Sequence, residues 1–258
     1  MRIPLWSFLL AIAVIIAILL ILPRFIRSKP KPDMHRIQEK TLTADRGTRP
    51  NFVLPDSTTV WLNAGSSLTY RTLPNSDYRQ TEMEGEACFT VPATDTAPFI
   101  VSSKDVDVFI NGGSILDLNA YRDDSTTQIS IFKGSAEVFF HNNTRSHVTL
   151  KATDKLIVPQ YNWHISMDKP MYLPRESLYA EMAWTKNRLV FFNTSLEGLI
   201  PRLERWYDVK IVVSDDQLKK QHFSAMMADA GLSQMLKTLQ NVSEFHYRID
   251  NNQVFITP

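Results

Sequence analysis

The stretch DVDVFI, residues 105–110, sets Val106, Val108 and Ile110 against Asp105, Asp107 and Phe109. Side chains of an extended strand point alternately to its two faces, so this pattern predicts a strand with one face in a core. Working outward, Gly112-Gly113 ends the run. Ile129, Ile131 and Val138 to Phe140 then flank Lys133-Gly134, a pair that predicts a hairpin turn. Further breakers fall at Pro55-Asp56, Ala64-Gly65, Pro74-Asn75 and Asn142-Asn143. Short strands punctuated this often predict an all-β sandwich or roll over residues 41–167.

The texture changes beyond Asp168. Pro170 and Pro174 mark residues 168–182 as a linker. Residues 183–258 then read as a small α+β domain. Leu189 to Phe192 is a short apolar strand. Thr194 and Glu197 have capping-box spacing, in which each side chain satisfies a free backbone N–H at a helix start. Leu196, Leu199, Ile200, Leu203 and Trp206 follow at helical spacing, and Pro201 is expected to interrupt that helix. Ile211 to Val213 predict a strand. Leu232, Met235, Leu236 and Leu239 predict a second helix. Asp250-Asn251-Asn252 predicts a closing hairpin between residues 245–249 and 254–256.

Toward the N-terminus, Leu5 to Leu22 carry no charge and, as a helix, would extend roughly 27 Å, close to the hydrocarbon thickness of a bilayer. We read residues 5–22 as a transmembrane helix in contact with membrane lipid. A cleaved signal peptide would need a small-residue cleavage site, and Pro23-Arg24-Phe25 is none. Residues 23–40, with alternating prolines and charges at 28–33, read as a linker. Orientation is contested by the charges. Arg2 precedes the span, whereas Arg24, Arg27, Lys29 and Lys31 follow it, which favours a cytoplasmic C-terminal side. That rule weakens when a long domain must cross.

Signs of chemistry are few. The 258 residues carry a net charge of +1, so there is no basic field to hold nucleic acid. The lone Cys88, within Ala87-Cys88-Phe89, reads as a small buried hydrophobe. Six histidines form no metal-ligand spacing, and no phosphate loop or G-x-S-x-G elbow is present, so no cofactor, metal or catalytic residue is assigned. Glu82, Glu84 and Glu86 are the one candidate for paired-carboxylate chemistry, and a solvated strand face explains them more simply.

Several blocks, in order, resemble the FecR family of transmembrane regulators. LPDSTTVWLNAGSSLTY (residues 54–70) is similar to the family's leucine-proline-aspartate turn, strand and leucine-asparagine-alanine step. EGEACFTV (84–91) resembles its glycine-glutamate-alanine-aromatic-phenylalanine strand. Pro98 to Val101, Asn119-Ala120-Tyr121 and Lys133-Gly134 follow at the family's distances. Gly113 to Leu118 departs from its glycine-threonine-x-phenylalanine-asparagine-valine step. AWTKNRLVFFNTSLEGLIPRLERWYDVKIV (183–212) is similar to the domain that follows FecR domains in many Bacteroidota proteins, itself like the signalling domain of TonB-dependent transducers.

The resemblance implies an inner-membrane, single-pass protein that is not an enzyme, with residues from about 28 onward in the periplasm. Its implied partners are the signalling domain of a TonB-dependent outer-membrane transducer and, through a cytoplasmic segment, an extracytoplasmic-function sigma factor. It would then act as an anti-sigma factor type of regulator. Four residues precede Leu5, so sigma-factor contact is expected only if an upstream cytoplasmic segment exists. The alternative reading is a membrane-anchored periplasmic binding or assembly module without that output. Trp184 and Tyr207 are the candidate partner contacts, and Trp206 and Phe255 are expected in the core of the small domain.

Overall fold

A computed structural model of the chain describes residues 38–72, 79–93, 98–160 and 164–258. The predicted span 5–22 lies outside the described residues, as does the predicted linker up to residue 37. Among the described residues no helix is long and apolar enough to cross a membrane. Residues Gln38–Pro258 form one unit of mostly β structure.

The alternating N-terminal sequence folds into β1 (Gln38–Ala44), β2 (Asn51–Val53), β3 (Thr59–Leu62), β4 (Ser66–Thr72), β5 (Arg79–Thr90), β6 (Phe99–Ser102) and β7 (Val106–Ile110). It continues with β8 (Ile115–Ala120), β9 (Thr126–Lys133), β10 (Ser135–Phe140), β11 (Asn143–Lys151), β12 (Lys155–Pro159) and β13 (Ser166–Asp168). These make one 13-stranded sheet curled into two wings that share β5. Residues 79–84 of β5 pair with β4 and, to residue 82, with β6; its residues from Gly85 on pair with β8 and, from 87, with β3. Gly85 makes the bend. Its φ is +101°, and a Cβ there would lie 2.3 Å from Oγ of Ser66, so no larger residue fits. One wing runs β1-β4-β5-β6-β7-β10-β11, and the other runs β2-β3-β5-β8-β9-β12-β13. The residues of β7 alternate as expected: Val106, Val108 and Ile110 are buried, and Asp107 and Phe109 are half-buried. They share one core with Leu62, Phe89, Leu118 and Ile131 of the opposite wing.

Lys133-Gly134 does not close a hairpin. The two strands it joins are not partners: β9 pairs with β8 and β12, and β10 with β7 and β11. Gly134 instead carries the chain across from one wing to the other. Its φ is +75°, and a Cβ would sit 2.3 Å from Oγ of Ser114. That hydroxyl accepts the Ser135 N–H and donates to the Ser135 carbonyl, each at 3.0 Å, and so pins the crossing. Gly112-Gly113 makes the reverse crossing, from β7 to β8.

Residues 168–182 are folded rather than bare linker. They hold a hairpin of β14 (Tyr172–Leu173) and β15 (Leu178–Tyr179), which leads into a 3-10 helix (Ala180–Lys186). The Tyr179 ring stacks on Phe132 of β9 with centroids 4.9 Å apart. The C-terminal lobe follows as β16 (Arg188–Ser195), α1 (Leu196–Tyr207), β17 (Lys210–Val213), α2 (Asp216–Lys219), β18 (His222–Ala228), α3 (Leu232–Gln240), β19 (His246–Asp250) and β20 (Gln253–Thr257). β16 pairs with β18, and β17-β20-β19 form a three-stranded sheet with β17 parallel to β20. Asn251-Asn252 is the turn of the expected closing hairpin.

Two local expectations are corrected, and one strand is added. Pro201 does not break α1, which continues to Tyr207. Proline removes one intrahelical N–H, yet Leu196, Leu199, Leu203 and Trp206 stay buried on one face and hold the helix. The N-cap is Ser195, whose Oγ accepts the Gly198 N–H at 3.2 Å; Thr194 instead donates to the Phe192 carbonyl. Strand β18 was not expected from the sequence. Phe223, Ala225 and Met227 pack inward there, but the outward Met226 hides the alternation.

Candidate interaction site

Outward positions of the second wing form two cross-strand rows. Trp61, Cys88, Asp117, Ser130 and Lys155 stand opposite one another in register. Beside them, Asn63 adjoins Glu86, which faces Asn119, which faces Gln128. On a free sandwich this face would be in water. Here the C-terminal lobe covers it, and Trp61, Cys88 and Phe132 join that lobe's own core. Cys88 is thus the expected buried hydrophobe, and burial pushes its thiol well up, so it stays neutral.

The joint between the lobes is held by charged and aromatic groups. Arg205 of α1, 5% exposed, donates to Asp123 at 2.9 Å and twice to Asp124 Oδ1 at 3.0 and 3.1 Å. Its guanidinium lies 3.6 Å from the Tyr121 ring centroid, and its carbonyl accepts the Gly47 N–H at 2.9 Å. Arg49 donates to Asn187 at 2.7 Å and lies over the Trp206 ring at 3.8 Å. Lys155 pairs with Glu181 at 3.0 Å. The Trp184 indole donates to Oδ1 of Asp117 at 3.1 Å. Burial, with Glu86 nearby, holds Asp117 well above the usual carboxylate range. Burial also raises Glu86, against the amide of Asn63, which donates to it at 2.5 Å.

The joint is not closed throughout. A cleft of about 830 Å³ remains, with Asn63, Glu86, Asp117 and Asn119 on its sheet side and Arg202 and Trp206 on its helix side. The three glutamates of 82–86 do not act together. Glu82 pairs with Arg71, Glu84 with Arg122, and Glu86, half-buried on the cleft floor, accepts from Asn63.

Sheet edges differ in how they are protected. Edge strands present unpaired N–H and C=O groups, and proteins blunt them with short length, charge or cover. β2 and β13 have three residues each, and β1 carries Glu39 and Lys40. β19 carries Arg248 and Asp250. On β17 the buried Glu204 accepts the Ile211 N–H at 2.8 Å, filling the edge. β18 is seven residues long and carries no Asp, Glu, Lys or Arg. Its residues 223–228, FSAMMA, are uncharged, it pairs only with β16 among the described strands, and Met226 is 44% exposed.

The two aromatic candidates fall in different places. Trp184 is 5% exposed and belongs to the joint. Tyr207 is half-buried at the end of α1, donates to the Ala230 carbonyl at 3.0 Å, and burial pushes its phenol up to about 12. Trp206 is buried as expected, whereas Phe255 is half-buried on the outer sheet face under Arg248. Of the joint's residues, Trp184, Trp206 and Glu86 stand out in the sequence, whereas Arg205, Arg49, Asp123 and Asp124 do not. Arg205 and its partners Asp123 and Asp124 lie about eighty residues apart in the chain, so nothing local marks them.

Comparison with known proteins matches residues 40–137 to the family described as FecR protein and residues 188–256 to that described as FecR, C-terminal. Two crystal structures of a candidate anti-sigma factor from Parabacteroides distasonis ATCC 8503 share the fold. The one at 1.65 Å has a TM-score of 0.74 at 28% identity and covers 84% of this chain and 98% of its own. The one at 2.50 Å has a TM-score of 0.75 at 28% identity, covering 85% and 99%. No curated protein matches the sequence. With both family domains present in order, and with that fold, the chain belongs to the FecR family and is a FecR-like regulator.

Proposed function

We propose that the described residues are the periplasmic sensing part of a transmembrane regulator that couples a TonB-dependent outer-membrane transducer to an extracytoplasmic-function sigma factor. The observation that carries this reading is the pairing of FecR and FecR C-terminal matches on one chain, over a fold shared with a candidate anti-sigma factor. In this reading residues 5–22 anchor the protein in the inner membrane. The transducer's signalling domain docks on the C-terminal lobe by adding a strand to β18, whose edge is uncharged and open among the described strands. Tyr207, half-buried on that lobe, is a proposed further contact. Trp184, inside the joint, acts by holding the lobe in place.

A pull-down of the chain with the transducer's signalling domain tests the reading. Capture should require residues 183–258. It should be lost in Met226→Lys, which puts a charge on the open edge, and kept in Arg248→Ala on β19. Equal capture by wild type and Met226→Lys overturns the strand-addition mode. No capture by wild type overturns the transducer assignment. A bacterial two-hybrid assay with the sigma factor encoded nearby tests the output side.

A further inference from the structure

We propose that the cleft between the lobes is a binding site for a neutral, polyhydroxylated ligand of mono- to disaccharide size, seated on the row Asn63–Glu86–Asn119–Gln128. The inference stands apart from the transducer and sigma-factor reading, and neither depends on the other.

The first ground is room. About 830 Å³ lies within the usual range of small-molecule sites, roughly 300–1,000 Å³. A sheet face covered merely for stability would be packed by apolar side chains, as it is around Trp61, Cys88 and Phe132. Over the Asn63–Gln128 row the same face is polar and left unfilled.

The second ground is the form of the row. Glu86, Asn119 and Gln128 lie opposite one another on adjacent strands whose backbones are about 4.8 Å apart, and Asn63, just past the end of β3, adjoins Glu86. Three are amides, each with two N–H donors and a carbonyl acceptor, and one is a carboxylate. Asn63 donates to Glu86 and Gln128 to Thr126, at 2.5 and 3.1 Å, which orients the forks. Among the described residues nothing donates to the Gln128 carbonyl oxygen. Asp117, 3% exposed and on the cleft wall, accepts the Trp184 N–H through Oδ1. Its second oxygen has no hydrogen-bond partner among the described residues, and as burial favours the neutral carboxyl it can donate or accept there. Neighbouring hydroxyls on a sugar ring both donate and accept, and so match forks of this kind. Trp184 and Trp206 add apolar wall for ring carbons.

The third ground is charge. The cations lining the cleft are already committed: Lys155 to Glu181, Arg188 to Glu176 and Arg205 to Asp123 and Asp124. Arg202 donates to the Val190 carbonyl and attracts Glu86. Arg202 is the one lining cation without an ion pair among the described residues, and its charge is set against the floor carboxylate Glu86. The balance favours a neutral ligand.

The test is isothermal titration of the full chain, held in a detergent without a sugar headgroup. The neutral probes are glucose, galactose, cellobiose, maltose and lactose, and the charged controls are glucuronate and glucosamine. At least one neutral sugar should bind saturably with a Kd of about 1 mM or below. That affinity should fall at least about tenfold in Asn119→Ala and in Gln128→Leu, each with an unchanged unfolding midpoint. If Asn119→Ala does not fold, Gln128→Leu, which preserves volume, decides. Saturation by none of the neutral sugars overturns the proposal, and the cleft then holds only solvent. Binding that survives both substitutions, or tighter binding of a charged control, overturns it as well.

Discussion

Replacing Arg205 with Ala should be the most damaging single change in the joint. The guanidinium is buried, holds Asp123 and Asp124, and stacks on Tyr121. Removing one member of a buried ion pair typically costs about 3–5 kcal/mol, because its partner is left uncompensated. Here the partners can partly rehydrate: the side chains of Asp123 and Asp124 are 58% and 22% exposed. That lowers the electrostatic part to about 2 kcal/mol, and loss of the cation–π contact adds about 1 kcal/mol. The expected total is about 3 kcal/mol. For a unit of this size it is a fall of roughly 6–12 °C in the unfolding midpoint. Arg205→Met keeps most of the aliphatic stem, so its cost should be smaller by about 1 kcal/mol, and the difference isolates packing from charge. Urea unfolding followed by circular dichroism and by tryptophan fluorescence measures both. The two probes should coincide in wild type and separate in Arg205→Ala, as the lobes lose their coupling. A cost below about 1 kcal/mol for Arg205→Ala, with coincident probes, would refute the claim that this clasp holds the lobes together.

Asp117→Asn should stabilise the protein at pH 7 and above. The folded state holds the aspartate's pKa up, so its favourable contribution is complete below the unfolded value of about 3.9 and is lost as pH rises through the folded one. The gain should therefore shrink toward pH 4, and urea midpoints across pH 4–8 that run parallel in the two proteins would contradict it. Gly134→Ala should cost about 2–4 kcal/mol, since its Cβ would strike both the side chain and the Cα of Ser114 at positive φ; thermal unfolding measures it. Ser195→Ala should cost about 1 kcal/mol and Thr194→Ala clearly less, and the reverse order would restore the cap to residue 194.

Much of the fold was legible because it is local. The alternation of Val106, Val108 and Ile110 defines a strand wherever that strand ends up, since period two follows from backbone geometry alone. The helical spacing of Leu196, Leu199, Leu203 and Trp206 likewise outweighed Pro201, which removes one bond while four side chains stay buried. The FecR blocks were legible too, as short patterns in order. Strand β18 was not, because an outward methionine is as apolar as an inward one.

Pairing and cover belong to the tertiary structure. Lys133-Gly134 has the composition of a hairpin turn, yet the tight approach of Ser114 makes it a crossing between wings. Nothing local distinguishes the two, because the partner strand lies far away in sequence. Glu86 reads in the sequence as part of a solvated strand face, and strand pairing puts Asp117 on the same outward face. Whether an outward face meets water depends on what folds over it. The C-terminal lobe does so through Arg205 and Trp184, contacts that span more than sixty residues of chain. Burial then raises both carboxylates, Asp117 well above its usual range, and a polar cleft remains where the sequence pattern alone predicts an open face.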